Sequence, residues 1–150
     1  MFSKAKEMTD ENLMTMSKIF DLQRIEPKPR TKKQMWVKDV GYDEAPWYQE
    51  RMGLTELEDF LSVAAERIDY VKITTTQVLN HPSNWVNRKI ELYKKHSIQP
   101  YLDHGYFVRA YRNGVVDEAI EAGAELGFSV MEFMNTFGDI PEHQIRAWRQ

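Results

Sequence analysis

From Gln34 onward the chain repeats one pattern four times: a short run of β-type residues, a turn, then a longer run with helical periodicity. Strands that alternate with helices of this length are joined by crossovers, so they lie parallel in one sheet with right-handed connections. The β-type runs are 34–40, 69–73, 97–102 and 128–133, the third weakened by Pro100, which cannot donate to a ladder. After the first run, a helix is expected over about 55–67, with Leu57, Phe60, Leu61, Ala64 and Ile68 on one stripe. A second starts near Ser83 and presents Val86, Ile90 and Tyr93. A third runs from Tyr106, breaks at Gly114, resumes with Val116, Ala119, Ile120, Gly123 and Leu126, and is capped by Gly127. The last begins at Pro141, where Asp139 and Glu142 have the spacing of a capping box.

A further helix is expected ahead of the sheet, over 9–21, from the spacing of Leu13, Met16, Ile19 and Phe20. Pro27 and Pro29 then enforce a linker. The chain thus divides into a helix and linker, 1–33, and a strand–helix domain, 34–150. No Gly-x-Gly-x-x-Gly follows the first strand, where the turn reads Val40-Gly41-Tyr42-Asp43-Glu44. That counts against a dinucleotide-binding open sheet. A barrel or another open sheet remains.

Composition narrows the function. With no cysteine, disulfides, thiolate metal sites and cysteine nucleophiles are excluded. A net charge of −3 gives no electrostatic reason to expect nucleic acid. No run approaches the roughly 18 apolar residues of a membrane span, and the start of the chain lacks an apolar signal core, so a soluble cytoplasmic protein is expected. The one basic cluster, Lys28, Arg30, Lys32 and Lys33, reads as a solvated linker in preference to a contact for phosphate or an acidic partner.

Strands buried on both faces should be almost wholly apolar, so an ionisable residue within one calls for a reason. Each unit has one at or near its strand's C-terminal end: Asp39, Lys72, Asp103 and Glu132. Alternation lets Val71 and Ile73 face the helices while Lys72 faces the opposite side, and Met131 and Phe133 do the same around Glu132. Three carboxylates and an ammonium would then ring one mouth of the sheet, which in a barrel is the mouth that carries catalytic residues. The alternative is a set of structural ion pairs at the rim. Asp39, Asp103 and Glu132 are hard oxygen ligands of the kind that hold Mg²⁺. Lys72 could neutralise a phosphate or carboxylate. Among the histidines only His104 falls at this mouth, as a candidate acid or base, and His81, His96 and His143 show no ligand spacing. Thr74, Thr75, Thr76 and Asn135 lie in the expected loops there and could bond substrate oxygens, or simply serve the turns. Trp36, Trp85 and Trp148 read as packing residues.

Three blocks, Arg67-Ile68-Asp69-Tyr70-Val71-Lys72-Ile73, Lys89 through Tyr101, and Glu125 through Glu132, resemble successive segments of the phosphosulfolactate synthases and the related plant heat-stress-associated proteins. Pro29-Arg30 and Asp139-Ile140-Pro141-Glu142 fit the same series, which covers about residues 27–150. The resemblance implies the first four units of a (β/α)₈ barrel and a Mg²⁺-dependent lyase that adds sulfite to phosphoenolpyruvate, as in coenzyme M biosynthesis. It matches Asp39, Lys72 and Glu132 to charged positions of the family. The family's Asp-Lys-Gly, however, reads Asp39-Val40-Gly41 here, its Gly-x-Gly-Thr reads Thr74-Thr75-Thr76, and its Gly-Gly-Thr gives way to Asp103-His104-Gly105. Altered glycines change where backbone can approach a ligand. The resemblance therefore also admits a non-catalytic relative acting through protein contacts in stress tolerance. A complete barrel takes about 250 residues, so the expectation extends to a fragment or to a half-barrel closing with a second copy.

Overall fold

The computed structural model describes residues 26–39, 52–134 and 140–148. The helix expected over 9–21, the turn at 40–44, Asn135 and Asp139 lie outside the described residues. Among the described residues, β1 (Trp36–Asp39), β2 (Tyr70–Ile73) and β3 (Gln99–Leu102) form a parallel sheet in that order. The helices are α1 (Leu54–Ala64), α2 (Thr75–Asn80), α3 (Ser83–Lys95), α4 (His104–Asn113), α5 (Val116–Glu125) and α6 (Glu142–Ala147). A 3₁₀ turn, Ala65–Arg67, ends the α1 segment, so the expected helix over 55–67 is real but tightens in its last turn.

The strand and helix faces sort as period-2 and period-3.6 patterning requires. Val71, Ile73 and Leu102 point from the sheet into a core built with Leu57 and Leu61 of α1 and Val86, Ile90 and Tyr93 of α3. Each such side chain, taken fully out of water, contributes about 1.5–3 kcal/mol. A second cluster joins Phe107 and Ala110 of α4 to Val116 of α5 and Ile140 ahead of α6. The break between α4 and α5 falls at Gly114, which adopts φ 70, a left-handed conformation that costs a residue with a Cβ.

The expected fourth strand, 128–133, is reduced to a single parallel bridge, Leu102 to Met131. Leu102 N–H donates to Val130 O at 3.0 Å and Glu132 N–H to Leu102 O at 2.8 Å. Pro100 supplies the reason. Gln99 and Asp103 donate towards β2, to Asp69 O and Ile73 O, and Leu102 donates to the other side. By alternation the N–H that Pro100 lacks would have extended the ladder towards residue 128. Proline is thus tolerated within β3, and the pairing it forfeits is the one beyond β3.

Two further expectations are corrected. Thr75 and Thr76 are not loop residues: they open α2, with Thr74 as its N-cap residue. Trp36 is not a core residue but is 53% exposed, on the sheet face opposite the helices, stacked on Tyr70 at 4.0 Å and edge-on to Tyr101 at 5.3 Å.

Candidate functional site

Register decides which strand-end charges meet. Lys72 pairs with Tyr101 and Lys38, on the face away from the helices, while its neighbours Val71 and Ile73 are buried. Beyond Leu102 the chain turns into α4, and the bridge at Met131 brings Glu132 alongside. Lys72 Nζ reaches Glu132 Oε2 at 2.7 Å and lies 3.9 Å from Asp103 Oδ2. The same Glu132 oxygen accepts from the His104 backbone N–H at 3.1 Å and faces His104 Nδ1 at 3.0 Å. Opposite a carboxylate, Nδ1 is the donor.

Asp103 is the N-cap residue of α4: its Oδ1 accepts from Gly105 N–H at 2.7 Å and from Thr75 Oγ1 at 3.3 Å. A Cβ at Gly105 would stand 2.8 Å from Thr75 Oγ1 and 3.0 Å from Asp103 Oδ1, so a larger residue would break up the cap. Both carboxylates therefore sit at the positive end of α4. Burial alone would raise the Glu132 pKa, but the bonds from Lys72 and His104 outweigh it and hold this carboxyl below its ordinary range. Burial likewise works against the Lys72 ammonium, and Glu132 outweighs it, so the Lys72 pKa is raised.

Of the residues singled out from sequence, Lys72, Asp103, His104 and Glu132 converge, and Thr75 touches Asp103. Thr74 Oγ1 lies 3.2 Å from Thr76 Oγ1 and accepts from Gln77 Nε2 at 3.4 Å. Asp39 is placed elsewhere. It pairs in register with Ile73, so its side chain points to the helices. There Lys89 Nζ lies 2.7 Å from its Oδ2, Tyr93 OH donates to Oδ2 at 2.7 Å, and Gln77 Nε2 donates to Oδ1 at 3.2 Å. Lys89 and Gln77 were not anticipated. The signal existed: Lys89 falls on the Val86, Ile90, Tyr93 stripe of α3, where a charge needs a buried partner.

Ligand atoms of Asp103, His104 and Glu132 lie within 4.8 Å of one another. Among the described residues, Glu132 Oε2 and Asp103 Oδ1 accept hydrogen bonds, while Asp103 Oδ2 faces Lys72 Nζ only at ion-pair distance, 3.9 Å, and stands with Glu132 Oε1 as an oxygen for a cation. Two carboxylate oxygens fit Mg²⁺, which fills its remaining positions with water and substrate oxygens. Asp39, locked by Lys89, Tyr93 and Gln77, does not belong to that set.

The arrangement holds a cation, two anions and an imidazole at one strand-end mouth. Comparison with known proteins gives it a context. The family model described as (2R)-phospho-3-sulfolactate synthase matches residues 23–150. The phosphosulfolactate synthase of Methanocaldococcus jannaschii is 34% identical over 86 residues, 56% of this chain and 34% of that protein. That of Methanothermobacter thermautotrophicus is 25% identical over 84 residues, 56% of this chain and 33% of that protein. The matched segments thus span about a third of the length of these relatives.

Proposed function

The chain belongs to the (2R)-phospho-3-sulfolactate synthase family, and from that premise we propose that it supplies the first four units of a (β/α)₈ barrel lyase that joins sulfite to phosphoenolpyruvate. The observation that carries this reading is the convergence of Lys72, Asp103, His104 and Glu132 where β2, β3 and the Met131 segment end. A small phosphorylated carboxylate is the substrate class such a site suits.

In this reaction the sulfur of sulfite bonds to the methylene carbon of the enol acid. The π pair moves to the carbon bearing phosphate and carboxylate, and a proton adds there. Nothing leaves, and bisulfite replaces the proton spent. Lys72 offers its ammonium to the substrate's phosphate or carboxylate. His104, held at Nδ1 by Glu132, takes a proton at Nε2 from bisulfite and delivers it to the substrate carbon. Asp103 and Glu132 are the residues that would hold Mg²⁺, whose charge polarises the substrate carboxylate and favours the negative charge developing beside it.

Incubating the protein with Mg²⁺, phosphoenolpyruvate and sulfite should deplete both substrates and yield phosphosulfolactate. Folded protein that leaves both unchanged removes the reading. A second reading, a non-catalytic relative acting through protein contacts, draws on Thr74, Thr75 and Thr76, which start a helix where the family has a glycine-rich turn. It would gain if Lys72→Ala and Glu132→Ala left the organism's stress phenotype intact.

A further inference from the structure

At the opposite end of the sheet, residues 28–34 fold against the starts of β2 and β3. A cleft of about 330 Å³ opens there, lined by Lys28, Pro29, Arg30, Gln34, Asp69, Tyr70, Ser97 and Gln99. Arg30 is its anchor. The side chain is 4% exposed, and its Nε donates to both oxygens of Asp69, at 3.0 and 3.1 Å. Nη1 donates to Glu26 O and Glu66 O, each at 2.9 Å. Nη2, equally buried, has no acceptor among the described residues.

A buried guanidinium nitrogen with two N–H groups and no acceptor is unusual, because leaving such a donor unpaired costs about 1–3 kcal/mol or more. Lys28 stands beside it and also keeps donor capacity. Its ammonium donates to His96 O at 3.1 Å and approaches Ser97 O at 3.5 Å, using at most two of its three N–H groups. The charges are unequal as well. Asp69 faces both Arg30 and Lys28, and the exposed Glu66 acts on Lys28 from outside the cleft lining, but Lys32 and Lys33 add two exposed positive charges on the same segment.

We propose that this cleft is a binding site for a small oxyanion, a phosphate, sulfate or carboxylate group, held by Lys28 and the unpaired Nη2 of Arg30. It is separate from the Lys72 and Glu132 mouth, because it lies at the N-terminal ends of the same strands. The oxyanion supplies the acceptor that Nη2 lacks and a further acceptor for the Lys28 ammonium. Arg30 suits the role, since its remaining bonds already fix the guanidinium plane.

The experiment is calorimetric titration of the full chain with inorganic phosphate, sulfate and acetate in separate runs, with Lys28→Met and Lys72→Ala alongside. The expected result is saturable binding of one equivalent, weakened at least tenfold in Lys28→Met and unchanged within twofold in Lys72→Ala. The tightest of the three anions identifies the ligand group. Absence of saturable binding, binding unaffected by Lys28→Met, or binding lost in Lys72→Ala overturns the proposal. Should Lys28→Met not fold, the ¹⁵N signals of the Arg30 guanidinium in unaltered protein decide: a saturable shift on adding anion supports the site, and no shift refutes it.

Discussion

Lys89 Nζ stands 2.7 Å from Asp39 Oδ2, with the two side chains 0% and 1% exposed. The remaining ammonium protons reach Gln77 Oε1 at 2.8 Å and Met52 O at 2.9 Å. One lysine thus ties the end of β1 to α2, to α3 and to the residue two positions before α1. Removing one charge strands the other in an apolar core. Lys89→Met alone and Asp39→Leu alone should each cost about 3–5 kcal/mol, whereas the double variant should recover most of the loss. Urea unfolding of the four proteins tests this, and a Lys89→Met cost below about 1 kcal/mol would contradict it.

Tyr93 gives a graded version of the same test. Its hydroxyl donates to Asp39 Oδ2 at 2.7 Å, and burial together with the Asp39 charge pushes its pKa far above the ordinary tyrosine value. Tyr93→Phe keeps the ring and deletes the bond, with an expected loss of about 1.5–3 kcal/mol. The phenol should also stay un-ionised in absorbance titrations up to the pH at which the protein unfolds.

The Asp69 carboxyl predicts the acid side of the stability curve. Burial alone would raise its pKa, but the bond from Met35 N–H at 2.8 Å and the Arg30 guanidinium outweigh it and lower the pKa from 3.8. The unfolded chain therefore takes up a proton that the folded chain refuses. Its stabilisation is complete above the unfolded value of 3.8 and is lost as pH falls through the lowered folded value. Asp69→Asn should be less stable than the parent at pH 7, with a gap that narrows as pH drops below about 4. A gap that stays constant across that range would disprove the assignment.

Gly114 isolates a backbone effect. At φ 70 it has nothing within 4 Å of where a Cβ would stand, so substitution meets no clash. Gly114→Ala should cost about 1–2 kcal/mol from the left-handed conformation alone, and Gly114→Asn less. Thermal unfolding would show the order.

For the proposed lyase, Lys72→Met should lower kcat/KM by about 10²–10³-fold, the usual effect of deleting one preorganised charge at a reacting centre. Lys72→Arg should retain part of the activity, since a cation is kept beside Glu132. Equal activity of Lys72→Met and the parent would take Lys72 out of the mechanism.

Much of this architecture was legible in the residues. The alternation of strand and helix runs, the stripe of Leu57 and Leu61, the break at Gly114 and the outward turn of Lys72 between Val71 and Ile73 all follow from local periodicity and backbone chemistry. Proline in β3 was visible too, but its consequence was not. Whether the missing N–H of Pro100 faces β2 or the segment beyond depends on pairing between distant parts of the chain. The short helix at Thr75 was hidden because three threonines also read as a turn, and only tertiary packing chose between them.

The candidate site divides in the same way. From sequence alone, the four strand-end charges were not told apart, because each lies at or near the C-terminal end of its own strand. Register separated them: Asp39 aligns with Ile73 and is drawn to Lys89 on the helix side, while Lys72, Asp103 and Glu132 meet with His104 on the other side. The sequence by itself determined the alternating elements, the apolar faces and the list of charges, since these depend on spacing within a few residues. Only the tertiary structure decided which charges became partners, because a shift of one residue in strand register moves a side chain to the opposite face of the sheet.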